Sequence, residues 1–114
     1  MDIFIWILQG LLALVFVYAG LGKIFGSTSH KNTFTHLKLP QWFRVITGLV
    51  ETVAVAFLIV GYWYQEYVFW GAVLITAVGI GGAISHIRVN DSGKALAPIA
   101  ILGLLGLVLA SISF

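Results

Sequence analysis

The chain has 114 residues, 61% of them hydrophobic and 9% charged, with a formal net charge of +2 and no cysteine. A soluble domain carries about 25% charged residues, and a small fold leaves much of its surface in water. This composition, with a mean hydropathy of +1.07, therefore describes an integral membrane protein with no room for a second, soluble domain. The missing cysteines exclude disulfides, thiolate metal sites and thiol redox chemistry, and the six basic residues form no extended patch for nucleic acid.

The first apolar run, Ile3 to Phe25, is interrupted only by Gln9, Tyr18 and Lys23. Asp2, the lack of a basic residue ahead of the run, and its length argue against a secretory signal and for a first transmembrane span over 3–25. The next stretch, GSTSHKNTFTHLKLP, is the first polar break. Its Phe34, Leu37, Leu39 spacing suits a short helix lying on lipid headgroups, and a plain loop fits equally well. Pro40 suits the start of the second span.

That second span, about 42–61, lies in QWFRVITGLVETVAVAFLIVGYWY and carries one carboxylate near its middle, Glu51. A lone acid at that depth costs about 2.5–3.5 kcal/mol on insertion scales, so such a group is normally turned inward, paired, protonated or functional. GYWYQEY is a short turn without Lys or Arg. The third span covers about 67–87 and ends in His86 and Arg88. RVNDSGK carries an Asp-Ser-Gly turn signal. The fourth span covers about 95–114, with Pro98 in its first turns, where proline does least damage. The expected fold is all-α, a single four-helix transmembrane bundle over 1–114.

Lys23, Lys31, Lys38 and Arg44 flank the first loop, Arg88 and Lys94 the third, and the opposite side has no Lys or Arg. The positive-inside rule puts loops 1 and 3 in the cytoplasm and both termini outside, in a plasma (inner) membrane. Tyr62, Trp63, Tyr64, Tyr67 and Trp70, with Trp6, mark the outer interface, and Trp42 and Phe43 the inner one. Small residues four apart, Gly22 and Gly26, Gly79 and Ala83, Gly106 and Ala110, are read as helix-packing positions.

One stripe in each of three spans gathers the small and polar residues: Gln9, Ala13, Phe16, Gly20 and Lys23; Arg44, Gly48, Glu51, Val55 and Leu58; Ala72, Thr76, Gly79, Ala83 and His86. These are the faces expected to look into the bundle. Helical side chains lean toward the N-terminus of their helix. Lys23 and His86 therefore lean into the membrane and Glu51 leans toward the inner boundary, about 14 Å away at about 1.5 Å per residue. Arg44 leans away from Glu51, so the partners expected for the acid are Lys23 and His86, with Tyr18 adding a hydroxyl if the first helix is rotated to suit. Each group has a plainer reading as well. Glu51 fits a buried structural carboxylate, Lys23 a snorkelling lysine, and His86 a satisfied interfacial histidine rather than a proton carrier. Arg88 fits a topology charge or headgroup contact. Asp91 reads as a turn residue, and Gln9 and Thr76 as hydrogen-bonding across helices. His30 and His36 lack the further ligands a metal site needs.

AGLGKIFG (19–26), GLVETVAVAFLIVG (48–61) and SHIRVND (85–91) followed by Pro98 resemble, in order and spacing, segments of the DoxX family, in particular its smaller DoxX-like branch. The resemblance spans nearly the whole chain. It implies a four-helix membrane bundle associated with redox pathways, as a small subunit linked to quinone-dependent oxidoreductases or in complexes handling oxidative stress. No haem, flavin or iron–sulfur attachment pattern accompanies it.

Three functions follow from these residues. The first is a subunit that binds quinone or another lipophilic ligand, alongside membrane oxidoreductase subunits or as a homo-oligomer, through an inward cluster of Glu51, Lys23 and His86 with Tyr18, Arg44 and Arg88 around it. The second is an assembly subunit without a ligand. The third is a small proton-coupled transporter. Small multidrug exporters share the length and the single embedded glutamate, but theirs lies in helix 1 and their basic residues are poorly biased. An independent enzyme has least support, because the cluster lacks a nucleophile.

Overall fold

A computed structural model describes residues 2–113. They form five helices: α1 (Asp2–Phe25), α2 (Thr28–His36), α3 (Gln41–Val60), α4 (Glu66–Arg88) and α5 (Gly93–Ser113). The last residue of the predicted fourth span, Phe114, lies outside the described residues. There is no strand among the described residues, and α1, α3, α4 and α5 are each long and apolar enough to cross a membrane. The chain is a multi-pass, all-α membrane protein.

The long helices alternate in direction, and glycines set how closely they meet. A Cβ on Gly48 of α3 would lie 2.7 Å from the Gly20 carbonyl of α1. One on Gly79 of α4 would lie 2.4 Å from the Cα of Gly103 in α5. One on Gly71 of α4 would lie 3.0 Å from the Ala54 carbonyl of α3. In lipid no hydrophobic force draws helices together, so close backbone approach of this kind supplies the packing attraction. The bundle runs in the order α1, α3, α4, α5, with a thinner contact closing it between α1 and α5.

The inward stripes are the buried faces. Arg44, Gly48, Glu51, Val55 and Leu58 are all buried on α3. Around them Leu12, Phe16, Ile75 and Leu109 fill the core. Gln9, buried in α1, donates its Nε2–H to the Leu58 carbonyl at 2.6 Å. Thr76 differs from expectation. Its hydroxyl donates to the Ala72 carbonyl one turn back at 2.8 Å, not to a neighbouring helix, because a threonine can satisfy itself locally in a helix.

At the aromatic end Tyr62, Trp63, Tyr64 and Trp70 are exposed, as is Trp6. The Tyr62 hydroxyl donates to the Trp6 carbonyl at 2.8 Å and ties the α3–α4 turn to α1. At the opposite, basic end, Gly26 turns the chain with φ +73. The Ser27 N–H then closes onto the Gly22 carbonyl at 2.9 Å, the usual way a left-handed residue ends a helix. Gly26 is therefore a helix stop, not the packing position its spacing implied. The short helix α2 follows. Its Phe34, and Leu37 just after it, are buried against the protein, so its apolar face closes the end of the bundle instead of lying on headgroups.

Candidate functional site

Glycine pairing makes α3 and α4 meet at one end and part at the other. They touch where Gly61 faces Val68 and where Gly71 faces Ala54 and Leu58. Toward the basic end they diverge around a cleft of about 690 Å³. Phe43, Ile46, Thr47, Val50 and Glu51 of α3 form one wall, and Ala77, Gly81, Ser85, His86 and Arg88 of α4 the other. Lys23 reaches in from α1 and Ile99 from α5, and α2 covers the mouth with Phe34 and Leu37. Ile46, Gly81 and Ile84 are exposed as well as cleft-lining, so the cleft opens sideways between α3 and α4. An added Cβ on Gly81 would meet nothing within 4 Å.

Glu51 sits at the deep end, 1% exposed. Lys23 starts nearer the basic end, its Cβ beside Gly48, and reaches back up the helix. Its Nζ lies 3.0 Å from Oε1 and 3.2 Å from Oε2 of Glu51. The hydrogen bond goes to Oε2. Oε1 is the nearer of the two to the ammonium and meets it at ion-pair distance, without a hydrogen bond of its own.

The two arginines hold helix ends. Arg44 Nη1 donates to the Lys23 carbonyl in the last turn of α1, and its Nε donates to Gln41 Oε1 at 2.8 Å. Arg88 Nη2 donates to the Leu37 carbonyl at the end of α2. Both satisfy carbonyls that a helix C-terminus leaves open, where a cation is also favoured by the dipole. Arg44 makes no ion pair with Glu51, and Arg88 lines the mouth of the cleft with its charge committed to α2.

Two sequence-selected residues lie elsewhere. Tyr18 is 82% exposed and absent from the cleft. It precedes Lys23 by five residues, which on an α-helix places it about 140° around the axis, so a rotation that points Lys23 inward points Tyr18 outward. His86 lines the same cleft as Glu51 but belongs to its mouth. Since Gly71 is level with Ala54 to Leu58, Glu51 is level with the region of Ala77, and His86 lies roughly 13 Å closer to the loop at about 1.5 Å per residue.

His86 is engaged instead by Asp91, whose sequence reading was a turn residue, together with His36. The His86 Nδ1 lies 2.6 Å from Asp91 Oδ2, and His36 Nε2 of α2 lies 2.5 Å from Asp91 Oδ1. Asn90, with φ +59, makes this possible. It turns the chain after α4, so that the Asp91 N–H bonds the His86 carbonyl at 3.0 Å and the Asp91 side chain returns to the helix end. The Asn-Asp pair after the helix was the available signal. The two imidazoles hold the Asp91 carboxyl below its usual range, His36 first and His86 second. His30 of α2 also lines the cleft, its ring against Gly22. Burial, then the charges of Lys23 and Arg44, holds its imidazole below the usual value. Among the described residues no three His, Cys, Asp or Glu side chains are placed to hold a metal ion.

The resulting site is an apolar cleft with a buried carboxyl paired to Lys23 at its base and a histidine–aspartate bridge at its mouth. It can surround an apolar molecule and hydrogen-bond a polar group carried by that molecule, which is the usual composition of a small-molecule site. The sequence model of the DoxX-like family matches residues 7–110, nearly the whole chain, and the chain belongs to that family. No curated protein and no solved structure matches it.

Proposed function

We propose, from that membership and this cleft, that the protein is an accessory subunit of a membrane redox system that holds a quinone-type or other lipophilic molecule between α3 and α4. The observation that carries the reading is Glu51, a carboxyl buried at the deep end of an otherwise largely apolar cleft and paired there with Lys23. Burying a carboxyl without a full set of partners is costly, and a ligand's polar group relieves that cost. The side opening at Ile46, Gly81 and Ile84 lets a ligand enter from the bilayer without crossing water. The redox setting comes from the oxidoreductase association that the family resemblance implies. In this reading the basic end faces the cytoplasm of a plasma (inner) membrane.

The test uses the open space at Gly81. Gly81→Leu adds a branched side chain to the cleft lining at a position where a Cβ meets nothing within 4 Å, whereas Gly93→Ala, also in open space, adds bulk outside the cleft. Native mass spectrometry of protein extracted from membranes is expected to show a lipophilic adduct on the wild type and on Gly93→Ala, and none on Gly81→Leu. The same occupancy, or none, in all three returns the protein to the assembly role. The arginine ties of α1 and α2 and the Lys23–Glu51 pair would then act only to fix the helices.

A further inference from the structure

Most polar side chains of the cleft are already committed to a partner. Lys23 and Glu51 hold each other, His86 is bound to Asp91, and Arg88 donates to the Leu37 carbonyl. Thr33, Thr47 and Ser85 each donate to a carbonyl one turn back in their own helix. Two are left, and Ser29 is exposed. The other is His30, which is partly buried and lines the same cleft. Its backbone N–H bonds the Ser27 hydroxyl, and its ring makes no hydrogen bond among the described residues. His30 precedes the buried Phe34 by four residues and Leu37 by seven, so it lies on the inward face of α2.

A glycine of α1 makes room for the ring. A Cβ on Gly22 would lie 2.8 Å from Cδ2 and 2.9 Å from Nε2 of His30, so the missing side chain is a notch that the imidazole occupies. Gly22 is next to Lys23, and α2 thus carries a second polar group to the level at which Lys23 leaves its helix. Burial and the charges of Lys23 and Arg44 hold the imidazole below its usual pKa. At neutral pH the ring therefore has one N–H to donate and one bare nitrogen. Two cations beside it favour an electronegative atom as its neighbour.

We infer that His30 is the histidine that hydrogen-bonds the molecule held between α3 and α4, donating its ring N–H to an oxygen of that molecule. This rests on the reading of the cleft as a lipophilic-ligand site. His86, tied to Asp91 at the mouth, takes no part in it. The short helix α2 then has two tasks: Phe34 and Leu37 fasten it to the bundle, and His30 supplies a binding group.

The chain has three histidines, so their ring nitrogens can be followed one by one. Protein with isotope-labelled histidine is placed in nanodiscs, and the His30 signals are assigned by their loss in His30→Phe. A short-chain quinone and, anaerobically, its quinol are titrated in. NMR reads the ring nitrogens, and native mass spectrometry reads the bound molecule. The His30 signals are expected to shift saturably, while those of His36 and His86 stay in place. His30→Phe, which keeps an aromatic ring and loses the donor, is expected to weaken binding about 3- to 10-fold, the worth of one hydrogen bond. His30→Gln, which keeps a side-chain N–H, is expected to lose less. Gly22→Ala, whose added Cβ meets side chains only, displaces the ring and is expected to weaken binding as His30→Phe does. Saturable binding that Gly81→Leu abolishes, with the His30 signals unmoved, would overturn the assignment and leave the ligand site standing. No saturable binding of quinone or quinol would overturn both.

Discussion

The two ends of the α3–α4 pair are built from similar residues and do opposite things. Near the aromatic end, Gly61 and Gly71 face side chains and backbone of the other helix and draw the two together. Toward the basic end, Gly81 faces open space and the helices part around Glu51. The contrast is sharpest within α4, where Gly79 presses on Gly103 while Gly81, two residues on, meets nothing. A small residue in a membrane helix makes a contact or a cavity according to what stands opposite. Polar chemistry collects where the contact fails.

The largest effect expected at the open end comes from separating the ion pair. Lys23→Met leaves Glu51 buried without its cation and should cost about 3–5 kcal/mol, with Lys23→Met/Glu51→Leu recovering most of it. Reversible unfolding in mixed micelles measures both, and an undiminished loss in the double variant would show that the pair holds the fold. Next come the two glycines. Gly79→Ala should cost about 1–3 kcal/mol by overpacking against α5. Gly81→Ala should change stability by less than about 0.5 kcal/mol or raise it slightly, as alanine is the better helix former. Equal losses at both positions in the same assay would erase the distinction between a packed and an open glycine. On the closed side, Gln9→Leu leaves the Leu58 carbonyl without its interhelical donor and should cost about 1 kcal/mol.

The smallest effect is a pH dependence at the mouth. The His30 pKa is lowered below 6.5 by its surroundings, so the unfolded chain binds the proton more readily than the folded one. Stability then rises with pH. The contribution of His30 is fully present above pH 6.5 and falls away as the pH drops from there toward the folded value. Melting temperatures from pH 8 to pH 5 should decline less for His30→Asn than for the wild type, and identical declines would exclude His30. Asp91 works in the same direction at lower pH. Its lowered pKa contributes stability that is present above the unfolded value of 3.8 and is lost as the pH falls through the folded value.

The helices and their inward faces were legible because both rest on one-dimensional signals. Span length follows from bilayer thickness, and the buried stripe of α3 follows from helical period alone. The direction in which side chains lean brought Lys23 to Glu51 across two helices. Tyr18 shows the limit of that reasoning, since one helix rotation serves only one of two residues set 140° apart on the axis. The placing of His86 depended on a left-handed Asn90 and on the path of α2, neither of which periodicity encodes. The cleft itself was not legible. It comes from the divergence of α3 and α4, which is fixed by glycine contacts at their far end.

The ligand-holding cleft is tested most directly by thiol protection, since the chain has no cysteine of its own. Gly81→Cys places a single thiol in the cleft, and Ile80→Cys places one on the exposed neighbouring face of the same helix. Each is labelled with a membrane-permeant maleimide, with and without short-chain quinol. Quinol is expected to slow labelling at position 81 at least severalfold and to leave position 80 unchanged. Equal rates at position 81 with and without quinol, at concentrations that saturate the membrane, would contradict it.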